Sequence, residues 1–212
     1  MGDKKMMQPP WIEITTCFPC PNRCPYCPQD DWIKAYKDVN ILTLSNFKKI
    51  LKNVPKNVVI DFAGFAEPFV NPECADMMIY ARNEGHQVNI NSTLVGASEE
   101  NLERVKDIVD EFRFHDANKG KSPKDWMIDT GKVLNPNSRA GHLWDEEIRN
   151  NAGECARAPY HNINVMMPNG DVYICCNDYS LKHKLGNLFE TNYDDLERLD
   201  TYELCKTCKD SR

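Results

Sequence analysis

Along the first half of the chain, short apolar runs of strand character alternate with segments whose hydrophobic positions recur at helical spacing. Trp11 to Thr16 follows two prolines and is rich in β-branched and aromatic residues, which predicts a strand. Phe47, Ile50, Leu51 and Val54 then line one face of a predicted helix, with Ser45 as its expected N-cap and Pro55 as its stop. Val58 to Phe62 is an almost continuous apolar run of the kind buried in parallel sheets. Asn71-Pro72 predicts the next helix start, a cap followed by proline at the first helical position, and Gly85 its end. Gln87 to Ser92 predicts a third strand, Ser98 to Glu111 a third helix, and Phe112 to Phe114 a fourth strand.

Strands alternating with helices predict a parallel α/β sheet joined by right-handed crossovers. The pattern then breaks. Residues 117 to 141 are rich in Gly, Lys, Asn, Ser and Pro, and only Asp125 to Ile128 reads as a short strand. Further on, Asn162 to Met167 and Asp171 to Cys176 flank Pro168-Asn169-Gly170, a hairpin signal, and Asn192 to Glu203 predicts a last helix. A closed eightfold barrel takes about 250 residues, so a chain of 212 residues predicts a partial, open one. The expected division is 1–140 for a shortened barrel and 141–212 for a small α+β unit.

Composition narrows the function classes. A formal charge of −6 leaves no basic footprint, so nucleic acid is not an expected partner. No apolar run is long enough to span a bilayer, and the polar N-terminus lacks the apolar core of a signal peptide. Ten cysteines without an export signal point to metal or redox chemistry in a reducing, cytoplasmic setting.

The chemistry concentrates in Cys20-Pro-Asn-Arg-Cys24-Pro-Tyr-Cys27. Three thiolates so close together can hold a metal or cluster without completing its tetrahedral shell, and an open position marks a reactive site. Thiolates select iron–sulfur, zinc or Cu(I) over hard cations. Cys17 lies three residues upstream and is a rival ligand; Cys17 or a histidine would complete a zinc site instead.

The C-x3-C-x2-C spacing, with Tyr26 before the last cysteine, resembles the cluster loop of the radical SAM enzymes. The resemblance implies a [4Fe–4S] cluster on Cys20, Cys24 and Cys27, with S-adenosylmethionine on the fourth iron. Ala63-Gly64-Phe65-Ala66-Glu67-Pro68 follows the second strand, where that family places a Gly-Gly-Glu-like segment. It implies that Gly64 lets the backbone approach the methionine moiety and that Glu67 accepts from its ammonium. Asn91 and Ser92 close the third strand like the residues that meet the ribose, and Arg139, in Ser-Arg-Ala-Gly, would meet the carboxylate. The resemblance covers most of residues 11 to 95 and again 138 to 208, and departs in between.

Cys155, Cys175, Cys205 and Cys208 form a second set, similar to the SPASM domain and its shortened twitch version. This implies an auxiliary [4Fe–4S] cluster saturated by four thiolates; four-cysteine zinc sites share the spacing. Cys176 replaces Cys175 if the strand register differs by one, and Asp178 fits a Cys-Cys-x-Asp pattern. Cys74 reads as a buried thiol on a helix, and Met77, Met78 and Tyr80 as core. No histidine stands at telling spacing to a carboxylate; Lys119, Lys121 and Lys124 read as a solvated loop.

The resemblance implies a twitch-type dehydrogenase. It would cleave S-adenosylmethionine to a 5′-deoxyadenosyl radical and take a hydrogen atom from its substrate, for a two-electron oxidation of a small molecule. An external one-electron donor of flavodoxin or ferredoxin type is implied, and homodimer contacts could cover the shortened barrel. The rival readings are a peptide-modifying enzyme, forming thioethers or epimerising residues, and a zinc-stabilised binding module.

Overall fold

The computed structural model describes residues 10–117, 120–131, 138–145, 163–198 and 202–208. Eight strands form one open sheet: β1 (Trp11–Ile14), β2 (Val59–Phe62), β3 (Val88–Ser92), β4 (Glu111–Phe114), β5 (Ile128–Asp129), β6 (Ile163–Met166), β7 (Asp171–Tyr173) and β8 (Lys184–Asn187). Their spatial order is β5-β4-β3-β2-β1-β6-β7-β8. β1 to β5 are mutually parallel, β6 runs parallel to β1, and β7 and β8 complete an antiparallel meander. The fold is thus an open α/β sheet with a parallel core and antiparallel C-terminal strands.

Alternation along the strands gives the sheet two unlike faces. Ile12, Ile14, Ile60, Phe62, Val88, Ile90, Phe112 and Phe114 all belong to one buried core. Helices α2 (Leu44–Leu51), α3 (Cys74–Asn83) and α4 (Glu99–Val105) supply Phe47, Ile50, Met77, Met78, Ala81, Leu102 and Val105 to the same core. Each such large side chain, removed from water, contributes about 1.5–3 kcal/mol. On the other face Glu13 pairs with Asp61, Asp61 with Asn89, and Asn91 with Arg113. That polar row is the inner face of the partial barrel.

Several boundaries differ from the sequence expectation. The N-cap of α2 is Thr43, whose hydroxyl accepts from the Asn46 amide at 3.2 Å, and Ser45 lies inside the helix. Asn71 does not open α3 directly: its side-chain amide donates to the carbonyls of Thr16 (2.9 Å) and Leu42 (2.7 Å), clamping two loops together. A short 3₁₀ turn over Pro68–Val70 precedes it, and α3 begins at Cys74. The helix expected over Ser98 to Glu111 forms as α4, with Ser98 as its N-cap, but it stops at Val105. The strand expected over Asp125 to Ile128 is reduced to Ile128–Asp129.

The predicted helix over Asn192 to Glu203 is not formed by the described residues. Tyr193 and Leu196 are drawn into the core, and the Arg198 guanidinium donates to their carbonyls, leaving only 3₁₀ turns at Tyr193–Asp195 and Glu203–Lys206. Two elements escaped the sequence reading: helix α1 (Gln29–Ala35) and strand β8. Trp32 and Tyr36, four residues apart behind Asp30 and Asp31, were the available signal for α1. No helix among the described residues is long and apolar enough to cross a membrane.

Candidate active site

β1 leads through buried Thr15 and Thr16 into the cysteine loop, on the inner side of the sheet. The loop is fixed from three directions. Thr16 donates to the Pro68 carbonyl at 3.0 Å, Asn22 donates its side-chain amide to the Thr93 hydroxyl at 2.9 Å, and Gln29 donates to the Asn22 carbonyl. Trp32, fully buried, anchors α1 against Phe18 and Phe65, with ring centroids 4.8 and 6.0 Å away.

Between this loop and the ends of β2, β3 and β4 lies a cavity of about 220 Å³. Cys20, Cys24, Tyr26, Cys27, Gly64, Glu67, Asn91, Ser92 and Arg139, which the sequence scatters over more than half its length, all line it. Among the described residues no three Cys, His, Asp or Glu side chains converge as a single metal ion requires. The three cysteines instead border a shared space.

Burial pushes the Cys27 thiol up to about 12; repulsion from Cys20 and Cys24 adds to this, and Arg139 opposes it. Burial likewise raises Cys20. Thiolates form here only against compensating positive charge. Cys17, raised to about 12 by burial first, does not line the cavity; its thiol donates to the Glu67 carbonyl at 3.5 Å. The Tyr26 phenol is raised by burial and by the neighbouring Cys24.

Gly64 has φ +67°, and a Cβ there would stand 2.3 Å from the Thr15 hydroxyl oxygen. Glycine is therefore required on two independent grounds. The Glu67 carboxylate accepts from the Ser92 hydroxyl (2.6 Å), the Thr93 amide (2.8 Å) and the Thr93 hydroxyl (2.7 Å). Burial raises this acid, opposed by those same bonds. The Phe69 amide is a further donor to it, so the roughly four lone-pair positions of its two oxygens are largely engaged. Arg139 sits in a turn where Arg139, Ala140 and Gly141 all have positive φ (54°, 56° and 88°). Its Nε donates to the Tyr26 carbonyl at 3.4 Å.

The structure adds residues that the sequence reading passed over. His115 lines the cavity beside Asn91. Behind them, Asp61 accepts from Asn91 (2.9 and 3.1 Å) and from the Trp11 indole (3.1 Å), with Arg113 3.7 Å away. Burial raises the Asp61 carboxyl to about 7, against the pull of Arg113 and the Trp11 and Asn91 bonds. Two histidines do pair with acids: His142 with Asp31 at 2.6 Å and His183 with Asp178 at 3.1 Å. The first pairing is made by the fold alone; the second spans five residues within one turn.

Of the C-terminal cysteines, Cys155 lies outside the described residues. Cys175 packs against the helix-covered core and Cys176 against the aromatic cluster of the inner face, so the two point opposite ways. Burial holds the Cys175 thiol well above its ordinary value, with Cys176 and then Cys208 adding charge repulsion. Cys205 and Cys208 occupy one short turn, whose Thr207 donates to the Ala140 carbonyl at 2.8 Å. Tyr179, from the same C-terminal portion, reaches the first cavity and hydrogen-bonds Cys27. Cys74 is fully buried on α3.

No family model matches this chain, and no curated protein is significantly similar to it. Solved structures are. BtrN in complex with AdoMet and 2-DOIA matches with a TM-score of 0.66 at 16% identity, over 90% of this chain and 82% of that one. Selenomethionine BtrN in an open conformation matches with a TM-score of 0.67 at 16% identity, over 98% and 96%. SuiB of Streptococcus suis bound to the precursor peptide SuiA matches with a TM-score of 0.57 at 12% identity, over 88% of this chain and 64% of that one. These likenesses carry the fold alone: the chain shares the open α/β sheet of BtrN and SuiB.

Proposed function

We propose that this chain is a radical SAM oxidoreductase that carries out a two-electron oxidation of a small polar molecule. The observation that carries the reading is the single cavity lined by Cys20, Cys24 and Cys27 together with Gly64, Glu67, Asn91, Ser92 and Arg139. Cys20, Cys24 and Cys27 would hold a [4Fe–4S] cluster, and Cys155, Cys175, Cys205 and Cys208 an auxiliary one. When bound and reduced by an external flavodoxin- or ferredoxin-type donor, the first cluster with S-adenosylmethionine supplies a carbon radical that removes a hydrogen atom from substrate.

The protein's own part is positional. Gly64 leaves room where any Cβ would collide with Thr15. Glu67, held in place by Ser92 and Thr93, lines the cavity as the acidic group that an ammonium would face. Arg139, which also lines the cavity, suits a carboxylate. Phe65, Trp32 and Tyr179 exclude water along the inner side of the loop, which matters because water-exposed radicals are quenched or misdirected. The polar wall of Asn91 and His115 suits a hydrogen-bonding substrate.

The test is anaerobic iron, sulfide and EPR analysis of the wild type beside the Cys20→Ala/Cys24→Ala/Cys27→Ala variant. Two four-iron clusters require about eight iron and eight sulfide per chain. The variant should keep about half of each and make no 5′-deoxyadenosine from S-adenosylmethionine. Stoichiometric zinc in place of iron would instead identify a structural binding module.

A further inference from the structure

His115 and Asn91 meet at the cavity wall, with His115 Nε2 3.3 Å from Asn91 Oδ1. The protons around this pair can be assigned from the hydrogen-bond network. Asn91 turns its amino group to the Asp61 carboxylate, which also accepts from the Trp11 indole, so Oδ1 is the atom that faces His115. On the other side of the ring, the Thr130 hydroxyl oxygen lies 2.6 Å from the Phe114 carbonyl and 2.8 Å from His115 Nδ1. A carbonyl cannot donate, so the single hydroxyl proton goes to Phe114, and Nδ1–H donates to the Thr130 oxygen. In the neutral ring, Nε2 is then a bare lone pair beside a second acceptor.

Two acceptors at this distance with no hydrogen between them repel, and a donor that approaches from the cavity and shares its proton with both relieves this. The surrounding charges keep the ring from supplying that proton itself. Burial first, then Arg113 on its own strand and Arg139 from the facing turn, lower the His115 pKa. Asp61 lies behind Asn91; Asp129 on β5 is engaged by the Gly131 amide, and Asp116 follows His115 in the chain. The two arginines also disfavour an ammonium ligand relative to a neutral hydroxyl.

We propose that His115 Nε2 and Asn91 Oδ1 form an acceptor pair that binds a hydroxyl group of the substrate, and that His115 is the base for its oxidation. This rests on the oxidoreductase reading above. For a secondary alcohol becoming a ketone, the C–H hydrogen leaves as an atom to the carbon radical. The O–H proton passes to His115 Nε2, and the remaining electron goes to a one-electron oxidant of the iron–sulfur class. The resulting imidazolium donates from both nitrogens, to Asn91 and to Thr130. Thr130 is exposed and offers the proton a route to solvent.

Two measurements test this. The first is ¹⁵N–¹H imidazole NMR of the reconstituted wild-type protein near pH 7, with His115 assigned by its loss in His115→Gln. The expected state is the neutral Nδ1–H tautomer, and cyclohexanol should shift the Nε2 resonance where cyclohexyl methyl ether, which lacks a donor, does not. Thr130→Val, at an exposed position, should release the tautomer preference. An Nε2–H tautomer, an imidazolium, equal responses to both probes or no response to the alcohol would overturn the proposal.

The second is the ratio of oxidised product to 5′-deoxyadenosine across a panel of secondary alcohols. General-base catalysis contributes about 10²–10⁴-fold, so His115→Ala should lower the ratio about 100-fold, and added imidazole should restore part of it. The wild-type ratio should fall as pH drops through the His115 titration. An unchanged ratio would remove His115 from the chemistry. If the wild type makes no 5′-deoxyadenosine at all, the oxidoreductase reading fails, and the NMR result still decides whether the acceptor pair exists.

Discussion

On the inner face of the sheet, the side built by β1, β6 and β7 is sealed by rings, whereas the side built by β2, β3 and β4 is lined with charges and amides. Phe18, Trp32, Tyr36, Phe65, Tyr173 and Tyr179 pack over Val165 and Met167 on the first side. Phe65 lies between Trp32 and Tyr179, with centroids 6.0 and 4.8 Å away. On the second side Asn91 donates to Asp61, Arg113 pairs with Asp61 at 3.7 Å, and His115 faces Asn91 at 3.3 Å. Aromatic packing is indifferent to pH and fixes the cysteine loop by shape. The polar network responds to pH and fixes directions, because each bond requires a donor facing an acceptor. One region fixes the cysteine loop, and the other lines the neighbouring cavity with directed polar groups.

The strongest way to break the contrast is Trp32→Ala, which empties the middle of the aromatic side. Large-to-small changes of buried aromatics cost about 3–5 kcal/mol, and denaturant unfolding should show a loss of that size. A loss under about 1 kcal/mol would mean the loop is held by other contacts. At the seam between the regions, Gly64→Ala forces a Cβ against Thr15 at a positive φ. Overpacking of this kind costs about 1–3 kcal/mol, and calorimetry should show S-adenosylmethionine binding weakened more than stability.

Asp61→Asn sharpens the comparison through pH. The folded protein raises this carboxyl from 3.8 to about 7, so between those values the native state holds a proton that the unfolded chain has released. Its contribution to stability is therefore fully present below the lower value and lost as pH rises through the upper one. Wild-type stability relative to Asp61→Asn should fall from pH 5 to pH 8. A parallel pair of stability profiles, or the opposite slope, would contradict the assignment. The smallest effect belongs to the rim, where Lys124 meets Glu99 at 2.9 Å in solvent. Exposed pairs are worth about 0–1 kcal/mol, so Lys124→Ala should move thermal unfolding very little, and less still at high salt.

What could be read in advance follows from how local each signal is. The cysteine loop, Gly64 and Glu67 were legible because their spacing and their position after strands are properties of short segments. Asp61 was not: it sits in an apolar run, and only the register of β2 against β1 and β3 shows that it shares the inner face with Glu13 and Asn89. His115 was hidden for the same reason, since its partners Asn91 and Thr130 come from β3 and the segment after β5. α1 lacked a capping side chain, with Pro28 in front of it, so its start carried no local mark. The parallel pairing of β6 with β1, and the reach of Tyr179 to Cys27, are long-range contacts with no trace in the local pattern.

That last pairing bears on how the protein is made. β1 is synthesised before β2 and can pair with it first, but its other edge stays bare until the segment ending at Met166 has been made. The Cys27 wall is likewise incomplete until Tyr179 arrives. The pocket beside the cysteine loop therefore closes only when β6 and the segment after β7 have docked against β1.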